Sequence, residues 1–292
     1  MRDVVGMRVH AIQTGTVAIR PNQLRGRGPG PARLLNTVID SGWTEPLPIY
    51  AWVIEHPEGL IAVDTGETAR VKEKGYFPAW HPYFRRNVRE WVEPEDEIGP
   101  RMRAVGLSPD DVRTVIMTHL HTDHAGGLAH FQRARILVDR RAYQVATGPF
   151  GQLLGFLPRR WPDWFRPTLL DLRPRPLGPF PSSLDVTAEG DVTIVPTPGH
   201  TDGHRSVVVR DNDTTYFLAG DASYAEQTMM EQQVDGLSLS ARIALLTLRR
   251  IGRFVAEQPT VYLPTHDPRS GIRLRNRIAT AMAVQEVPMT QH

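Results

Sequence analysis

The 292-residue chain contains no cysteine. This absence excludes disulfide bonds, a thiolate nucleophile and thiolate-ligated metal sites, because each of them needs a cysteine sulfur. A metal site in this protein must therefore use nitrogen and oxygen ligands, which histidine and aspartate side chains can supply.

Lysine is nearly absent as well, since Lys72 and Lys74 are the only two and all the other basic side chains are arginines. The formal net charge is only +2, and the arginines are scattered along the chain. No basic run is long enough to indicate a nucleic-acid footprint. We therefore expect no nucleic-acid partner.

Long hydrophobic runs are also missing. No segment approaches the run of about 18 apolar residues that spans a bilayer, and residues 1–15 lack the continuous apolar stretch of a signal peptide. These two absences predict a cytoplasmic protein with no membrane partner.

The overall composition is that of a compact globular protein, with 40% hydrophobic and 23% charged residues. Strand patterns outnumber helix patterns, helices fall between strands, and neither a linker nor a short-period repeat divides the chain. The sequence therefore predicts a single α/β domain over residues 1–292, with helices outside stacked β-sheets.

The strand predictions depend on alternating or β-branched apolar residues. The predicted strands are residues 7–19, 47–55, 60–64, 112–118, 134–138, 192–196, 206–210, 216–219 and 261–264. Two longer helices are predicted around residues 139–147 and 239–257. Three segments are predicted to be irregular: residues 21–31, residues 67–100 apart from a short helix, and residues 148–181.

The last irregular segment carries an aromatic cluster, which consists of Phe150, Phe156, Trp161, Trp164 and Phe165. Apolar side chains in such a broken segment either wall a pocket for an acyl chain or form the contact of a homodimer. The sequence leaves both uses open.

Metal-ligating residues are concentrated directly after the predicted strand 112–118. His119 and His121 are two apart on an extended backbone, so both imidazoles point to one side and can reach one ion at roughly 2.0 Å. Asp123 and His124 follow where a loop turns into a helix, and their side chains can serve a second ion beside the first. Four ligand-type residues so close together are hard to explain as packing.

Three further candidates, His200, Asp221 and His266, each follow a predicted strand. Sheet proteins build sites at the C-terminal ends of strands, so this shared placement groups the three with the first motif. Asp64 also ends a strand, where it either orients a ligand histidine or serves as an ordinary turn residue. His204 precedes an apolar strand and is predicted to be a buried structural residue.

The His-x-His-x-Asp-His motif at residues 119–124 resembles that of the metallo-β-lactamase superfamily. His200, Asp221 and His266 fall where that family supplies its remaining ligands, and residues 63–66 resemble its early Asp turn. The resemblance implies an αββα sandwich, in which two stacked mixed β-sheets carry helices on their outer faces.

Within that superfamily the sequence is most similar to the N-acyl-homoserine lactonases. The similarity lies in residues 118–127, in Thr-Pro-Gly-His-Thr-Asp-Gly-His at residues 197–204, and in residues 221–224. Tyr224 stands where these lactonases carry a tyrosine that contacts the lactone ester. The resemblance implies a quorum-quenching hydrolase whose substrate is a small-molecule lactone.

The resemblance also implies a binuclear site with two divalent metal ions, with zinc as the default because neutral imidazole and carboxylate suit it. The implied ligands of the first ion are His119, His121 and His200. The implied ligands of the second ion are Asp123, His124 and His266, and the implied bridge between the two ions is Asp221.

The implied reaction begins with attack of a metal-bridging hydroxide on the lactone carbonyl. Tyr224 would stabilise the developing oxyanion, and Asp123 would relay a proton to the leaving alkoxide. Asp64 would fix a ligand histidine from outside the site.

Other functions remain open at the level of the sequence. The same ligands would suit hydrolysis of another lactone, of a phosphotriester, or of a thioester as in glyoxalase II, although no cationic cluster for a glutathione-like carboxylate is apparent. From another functional class, a binding protein that senses a lactone or a metal could keep the fold, but it predicts an incomplete ligand set.

Overall fold

The computed structural model describes residues 6–281 of the chain. Over this range the β-strands are β1 (Arg8–Ile19), β2 (Leu47–Glu55), β3 (Leu60–Val63), β4 (Val88–Trp91), β5 (Val112–Ile116), β6 (Arg135–Asp139), β7 (Thr168–Leu170), β8 (Leu184–Asp185), β9 (Val192–Pro196), β10 (Arg205–Asp211), β11 (Thr214–Gly220) and β12 (Thr260–Pro264).

The α-helices of the same range are α1 (Pro21–Leu24), α2 (Pro31–Val38), α3 (Pro82–Arg86), α4 (Ile98–Ala104), α5 (Thr122–Ala125), α6 (Arg140–Thr147), α7 (Glu226–Met230), α8 (Ala241–Glu257) and α9 (Ser270–Asn276). Short 3₁₀ turns lie at Ala69–Lys72, Pro94–Asp96, Pro109–Asp111, Gly126–Phe131, Gln152–Leu154 and Pro158–Arg160. In this part of the chain, no helix has both the length and the apolar character of a membrane span.

The strands form two mixed sheets. The first sheet has the order β4-β1-β2-β3-β5-β6-β7, with antiparallel pairs from β4 to β3 and parallel pairs from β3 to β7. The second has the order β12-β11-β10-β9-β8, in which the β11 and β12 pair is parallel and the other pairs are antiparallel.

The core between the two sheets follows from the two-residue period of the strands. In β2, Trp52 and Ile54 pack in the cluster that contains the second sheet, whereas Ala51 and Val53 pack on the opposite face. Side chains of a strand alternate between its two faces, so an almost continuously apolar strand is buried on both sides. β2 therefore lies inside the sandwich and needs a covering layer on each face.

Helices supply those outer layers. Behind the second sheet, α8 buries Ala244, Leu248 and Ile251 along one face at the spacing of an amphipathic helix. Behind the first sheet, Ile98 and Met102 of α4 pack with the outward side chains of β2. The layers run helix, sheet, sheet, helix, which confirms the αββα sandwich that the sequence predicts.

The nine predicted strands are present within a few residues of their predicted bounds. The prediction of an irregular segment over residues 21–31 is wrong in part, because α1 and α2 each begin there at a proline whose fixed φ suits a first helical turn. Strands β4, β7 and β8 are also absent from the prediction. All three are short edge strands, β4 and β7 of the first sheet and β8 of the second, and each has too few residues for an alternating pattern to be recognised.

Five strands deliver the candidate residues to one edge of the sandwich. β3 and β5 are parallel, as are β11 and β12, and β9 runs in the direction of β11 because both are antiparallel to β10. These strands end just before Asp64, residues 119–124, His200, Asp221 and His266. The topology thus brings together segments that are far apart in sequence.

Glu97 joins the loop after β3 to helix α4 next to this edge. Its carboxylate accepts hydrogen bonds from Thr68 Oγ1 and Ala69 N, each at 2.9 Å, and from His130 Nε2 at 2.7 Å. These bonds, led by that from His130, lower the pKa of Glu97 to about 2. Glu97 is therefore a carboxylate that stabilises the folded state.

We expect Glu97→Gln to lower the free energy of unfolding at pH 7 by about 1 to 2 kcal/mol, since charge-assisted bonds are lost at a partly exposed position. A carboxyl group whose pKa is lower in the folded state stabilises fully above its unfolded pKa and loses this effect as the pH falls through the folded pKa. Urea unfolding at pH 7 and at about pH 3.5 checks both points.

At the lower pH the difference in the free energy of unfolding between wild type and Glu97→Gln should fall to about half of its value at pH 7. The exposed neighbour Glu95 provides the matched control, because Glu95→Gln removes the same charge beside it. An equal difference in the free energy of unfolding at both pH values would contradict the conclusion that Glu97 stabilises the fold as a carboxylate.

Candidate metal centre

The motif after β5 turns tightly against the turn after β3. His121 is the N-cap of α5, and Gly126 N donates to Gly66 O at 2.9 Å. A Cβ on Gly127 would lie 2.2 Å from Thr65 O. Glycine is therefore required at this position because the two turns touch through their backbones.

Three imidazole nitrogens meet at one point of this edge. His121 Nδ1 lies 3.0 Å from His119 Nε2 and 3.1 Å from His200 Nε2. Ligand atoms placed tetrahedrally about one zinc ion are roughly 3.3 Å apart, given bonds of about 2.0 Å. The three nitrogens thus have the spacing of ligands that share one cation.

A second group lies beside the first. His266 Nε2 is 3.3 Å from Asp123 Oδ2, and His124 Nε2 is 3.9 Å from Asp123 Oδ1. The ligand atoms of this group fall within 4.8 Å of one another, as do those of the first group.

Asp221 lies between the two groups. Its Oδ1 is 3.2 Å from His124 Nε2 and 3.4 Å from His266 Nε2, while its Oδ2 is 3.6 Å from His200 Nε2. The structure therefore brings together all seven candidate ligands, which we call the ligand cluster: His119, His121, Asp123, His124, His200, Asp221 and His266.

Hydrogen bonds outside the cluster set the tautomers of two histidines. Asp64 Oδ2 is 2.8 Å from His124 Nδ1 and accepts from Thr118 Oγ1 at 2.7 Å. Since the Thr118 hydrogen is used in this way, its oxygen can accept from His119 Nδ1 at 3.1 Å. When neutral, both rings therefore direct the lone pair of Nε2 toward the cluster. Asp64 makes the orienting contact that was one of the two roles predicted for it.

Two further histidines are oriented by backbone carbonyls. His121 Nε2 lies 3.1 Å from Leu154 O, and His266 Nδ1 lies 3.0 Å from Pro48 O. A carbonyl oxygen can only accept, so the proton of each ring is on that nitrogen. In the neutral ring the opposite nitrogen then has a lone pair that faces the cluster, which is the state a metal ligand needs.

The two halves of the cluster differ in charge. Burial lowers the pKa of His119 and of His121, the latter to about 4, so these rings are neutral. Burial opposes the charged form of His266, but the Asp221 and Asp123 carboxylates together raise the pKa of His266 to about 10. Although burial opposes the charged form of Asp123, His124 and His266 together lower its pKa to about 2. The two carboxylates therefore favour positive charge on this side.

Buried polar atoms without partners provide a test of whether a cation fits. Among residues 6–281, His124 Nε2 and Asp221 Oδ1 are buried and have no hydrogen-bond partner. An unsatisfied buried polar atom costs about 1–3 kcal/mol. These two atoms are only 3.2 Å apart, so one divalent cation could satisfy both. The donor set, with nitrogen and carboxylate oxygen alone, suits such an ion.

Tyr224 adjoins the cluster. Its ring stacks on His266, with ring centroids 5.5 Å apart, and burial raises its pKa well above the usual range for a phenol. The hydroxyl therefore keeps its proton and can donate it. Gln23 Nε2 donates to this hydroxyl at 3.0 Å, and Tyr83 donates to Gln23 Oε1 at 3.1 Å.

Sequence reasoning missed Gln23 and Tyr83, because both lie in segments without periodicity and neither belongs to a motif. It also missed Asp235, whose Oδ1 lies 3.9 Å from His200 Nδ1. Only the fold places these residues beside the cluster. His204, by contrast, is buried as predicted, with its Nδ1 2.9 Å from Thr197 Oγ1 and its Nε2 accepting from Asp221 N.

A cavity of about 360 Å³ opens above the cluster. Its floor includes Tyr224 and several cluster residues, and its walls are largely apolar. Side chains that line these walls are Leu34, Val38, Phe84, Leu154, Phe156 and Leu239.

The predicted aromatic cluster contributes little to these walls. Phe156 lines the cavity and stacks on His121, with ring centroids 4.7 Å apart. Phe165 is instead buried in the core behind the first sheet, where Trp161 and Trp164 pack against it, and Phe150 is 69% exposed. The aliphatic walls come from other segments that sequence periodicity did not single out.

The sequence profile of the metallo-beta-lactamase superfamily matches residues 44–266. The matched span is most of the chain and contains the whole ligand cluster. The chain belongs to the metallo-beta-lactamase superfamily. Proteins with similar sequences include N-acyl homoserine lactonase AiiA of Bacillus thuringiensis subsp. kurstaki, which is 28% identical over 241 residues, covering 80% of this chain and 86% of that protein.

A second relative is N-acyl homoserine lactonase AttM of Azorhizobium caulinodans. It is 28% identical over 266 residues, which cover 90% of this chain and 94% of that protein.

Solved structures share the fold of this chain. One is an N-acyl homoserine lactone hydrolase with the product N-hexanoyl-L-homoserine at its catalytic metal centre; it has a TM-score of 0.71 and 23% identity, covering 90% of this chain and 93% of that one. Another is AidC, a dizinc quorum-quenching lactonase, with a TM-score of 0.60 and 14% identity, covering 91% and 89% of the two chains. At these identities the likeness establishes the αββα architecture alone.

Proposed function

We propose that this protein is a metal-dependent hydrolase that opens the lactone ring of N-acyl homoserine lactones. The observation that carries the proposal is the meeting of the ligand cluster and the Tyr224 hydroxyl at the floor of an apolar cavity. The curated relatives named N-acyl homoserine lactonase support the choice of substrate class.

In this proposal two divalent ions, zinc by default, occupy the cluster. His119, His121 and His200 would hold one ion and Asp123, His124 and His266 the other. Asp221 lies between the two groups and would contribute its charge to both. When bound, the ions would acidify a water molecule and polarise the lactone carbonyl. Since the ligands come from strands of both sheets, we also propose that the chain works as one domain.

The chain's own residues would then perform three tasks. Tyr224 donates a hydrogen bond to the carbonyl oxygen as negative charge develops on it. Asp123, which is partly exposed at the cavity floor, carries a proton to the ring oxygen as the carbon–oxygen bond breaks. The apolar walls hold the acyl chain and keep bulk water away.

The overall reaction adds one water molecule across the ester bond. The carbonyl carbon gains the water oxygen, the ring oxygen leaves as a hydroxyl group, and the resulting carboxylic acid releases one proton at neutral pH. This proton makes the reaction directly measurable.

The first test is pH-stat hydrolysis of short-chain and long-chain N-acyl homoserine lactones by purified protein, with metals counted on the same sample. We expect rapid acid release, two metal ions per chain, and a larger kcat/KM for the long chains, because each buried CH₂ contributes about 0.8 kcal/mol. A sample with two ions that opens no lactone would overturn the proposed substrate, and thioesters and phosphotriesters would then be assayed. Light scattering on the same sample tests the homodimer.

A non-catalytic lactone or metal sensor makes a different prediction in this assay. It would bind a lactone without releasing acid, whereas the proposed hydrolase releases one proton for each lactone molecule that it opens. Loss of acid release in the folded variants His121→Ala and Asp123→Asn would decide against a sensor.

A further inference from the structure

A buried amide stands behind the proposed catalytic phenol. Gln23 is 2% exposed and belongs to the short helix α1. Its two polar atoms have different partners, since Nε2 donates to the Tyr224 hydroxyl at 3.0 Å and Oε1 accepts from the Tyr83 hydroxyl at 3.1 Å. The amide thus connects a phenol on the cavity wall with a phenol on the cavity floor.

The backbone around Gln23 is fixed by the loop that follows α7. Gly236 N donates to Gln23 O at 2.8 Å, and Gly26 N donates to Val234 O at 3.0 Å. A Cβ on Gly236 would lie 2.2 Å from Asn22 O, so the two segments are in direct backbone contact. Gln23 therefore projects from a rigid support rather than from a free loop.

The direction of these hydrogen bonds has a chemical consequence. An amide oxygen only accepts and an amide NH₂ only donates, whereas a phenol can do either. Because Tyr83 donates to Oε1, the NH₂ group of Gln23 faces Tyr224 and donates to its oxygen. The Tyr224 hydrogen is then not used on Gln23 and is available to the cavity. With the amide reversed, Tyr224 would donate its hydrogen to Oε1.

We propose that Gln23 is a positioning residue which, held by Tyr83, directs the Tyr224 hydroxyl hydrogen toward the carbonyl oxygen of the substrate. The inference rests on the proposed lactone hydrolysis and adds to it the group that keeps the phenol in its donating orientation. Gln23 acts through Tyr224 and does not itself contact the reacting atoms.

The test is a double-mutant cycle on the metal-loaded enzyme with an N-acyl homoserine lactone as substrate. Gln23→Leu keeps the side chain's approximate size and removes both hydrogen bonds. We expect it to lower kcat about tenfold, with KM within about twofold and both metal ions retained. In a Tyr224→Phe background the same change should have no further effect on kcat, because the effects of substituting residues that act as a unit do not add.

Tyr83→Phe provides a milder variant in case Gln23→Leu folds poorly. It removes the donor that fixes the amide, and we expect kcat to fall about threefold. Tyr143→Phe is the matched control, because Tyr143 packs in the core behind the first sheet and should leave kcat unchanged. Additive losses in the double variant would overturn the inference, since a merely structural role of Gln23 lowers activity whether or not Tyr224 has a hydroxyl.

A second readout does not depend on activity and separates this inference from the proposed function. The side-chain amide signal of Gln23 in a ¹⁵N–¹H spectrum is identified by its loss in Gln23→Leu. We expect it to shift in Tyr224→Phe and in Tyr83→Phe, but not in Tyr143→Phe. Wild-type protein that opens no lactone overturns the function, whereas an unchanged amide signal in both phenol variants overturns the role of Gln23.

Discussion

Asp221→Asn is expected to lower kcat at least about 10³-fold and to reduce the metal content from two ions per chain to one or fewer. The Asp221 carboxylate lies 3.2 Å from His124 Nε2, 3.4 Å from His266 Nε2 and 3.6 Å from His200 Nε2, so its charge reaches both halves of the cluster. An amide supplies no charge, and its NH₂ group would face imidazole nitrogens or a cation. Elemental analysis and pH-stat assays of one preparation measure both quantities.

Asp202→Asn is the matched control for this prediction. Asp202 is partly exposed on the loop next to His200, where it pairs with Arg141, and the same change there should leave activity and metal content intact. If Asp221→Asn retained two ions and wild-type turnover, the assignment of Asp221 as the residue shared by both ions would be wrong.

Tyr224→Phe is expected to lower kcat about 100-fold, with KM within about threefold and both metal ions retained. Loss of one donor to a developing oxyanion costs about 10² to 10³ in kcat. The ring is buried and stacks on His266, so phenylalanine preserves the packing and removes only the hydroxyl. Steady-state kinetics with a lactone, together with metal analysis, separate these effects.

A large rise in KM with unchanged kcat would instead assign the Tyr224 hydroxyl to substrate binding in the ground state. Loss of metal from Tyr224→Phe would indicate that the phenol supports His266 rather than the substrate. Either result would contradict the donor role.

Much of the fold follows from local pattern. The alternation of apolar and polar residues in β1 and the amphipathic face of α8 each predict their elements, because burial against one layer imposes a two-residue or a 3.6-residue period. Strand β4 and helix α1 escape this reasoning. β4 is a four-residue edge strand with alternate side chains exposed, and α1 is one turn long, so neither has enough residues to show a period.

By itself, the sequence determined the ligand types and the segments that carry them. Without cysteine, a metal must bind nitrogen and oxygen, and His119 and His121 share one face of an extended backbone wherever the chain places it. These inferences need only neighbouring residues, whose relative positions are fixed by covalent geometry.

Only the tertiary structure decided which distant side chains surround the cluster. Gln23 and Tyr224 are 201 positions apart, yet their side chains are 3.0 Å apart, and the carbonyl that orients His266 belongs to Pro48. Such contacts depend on how two sheets, their connecting loops and the short helix α1 pack together. Because the energy of that packing is distributed over the whole core, these contacts cannot be predicted from a local sequence pattern.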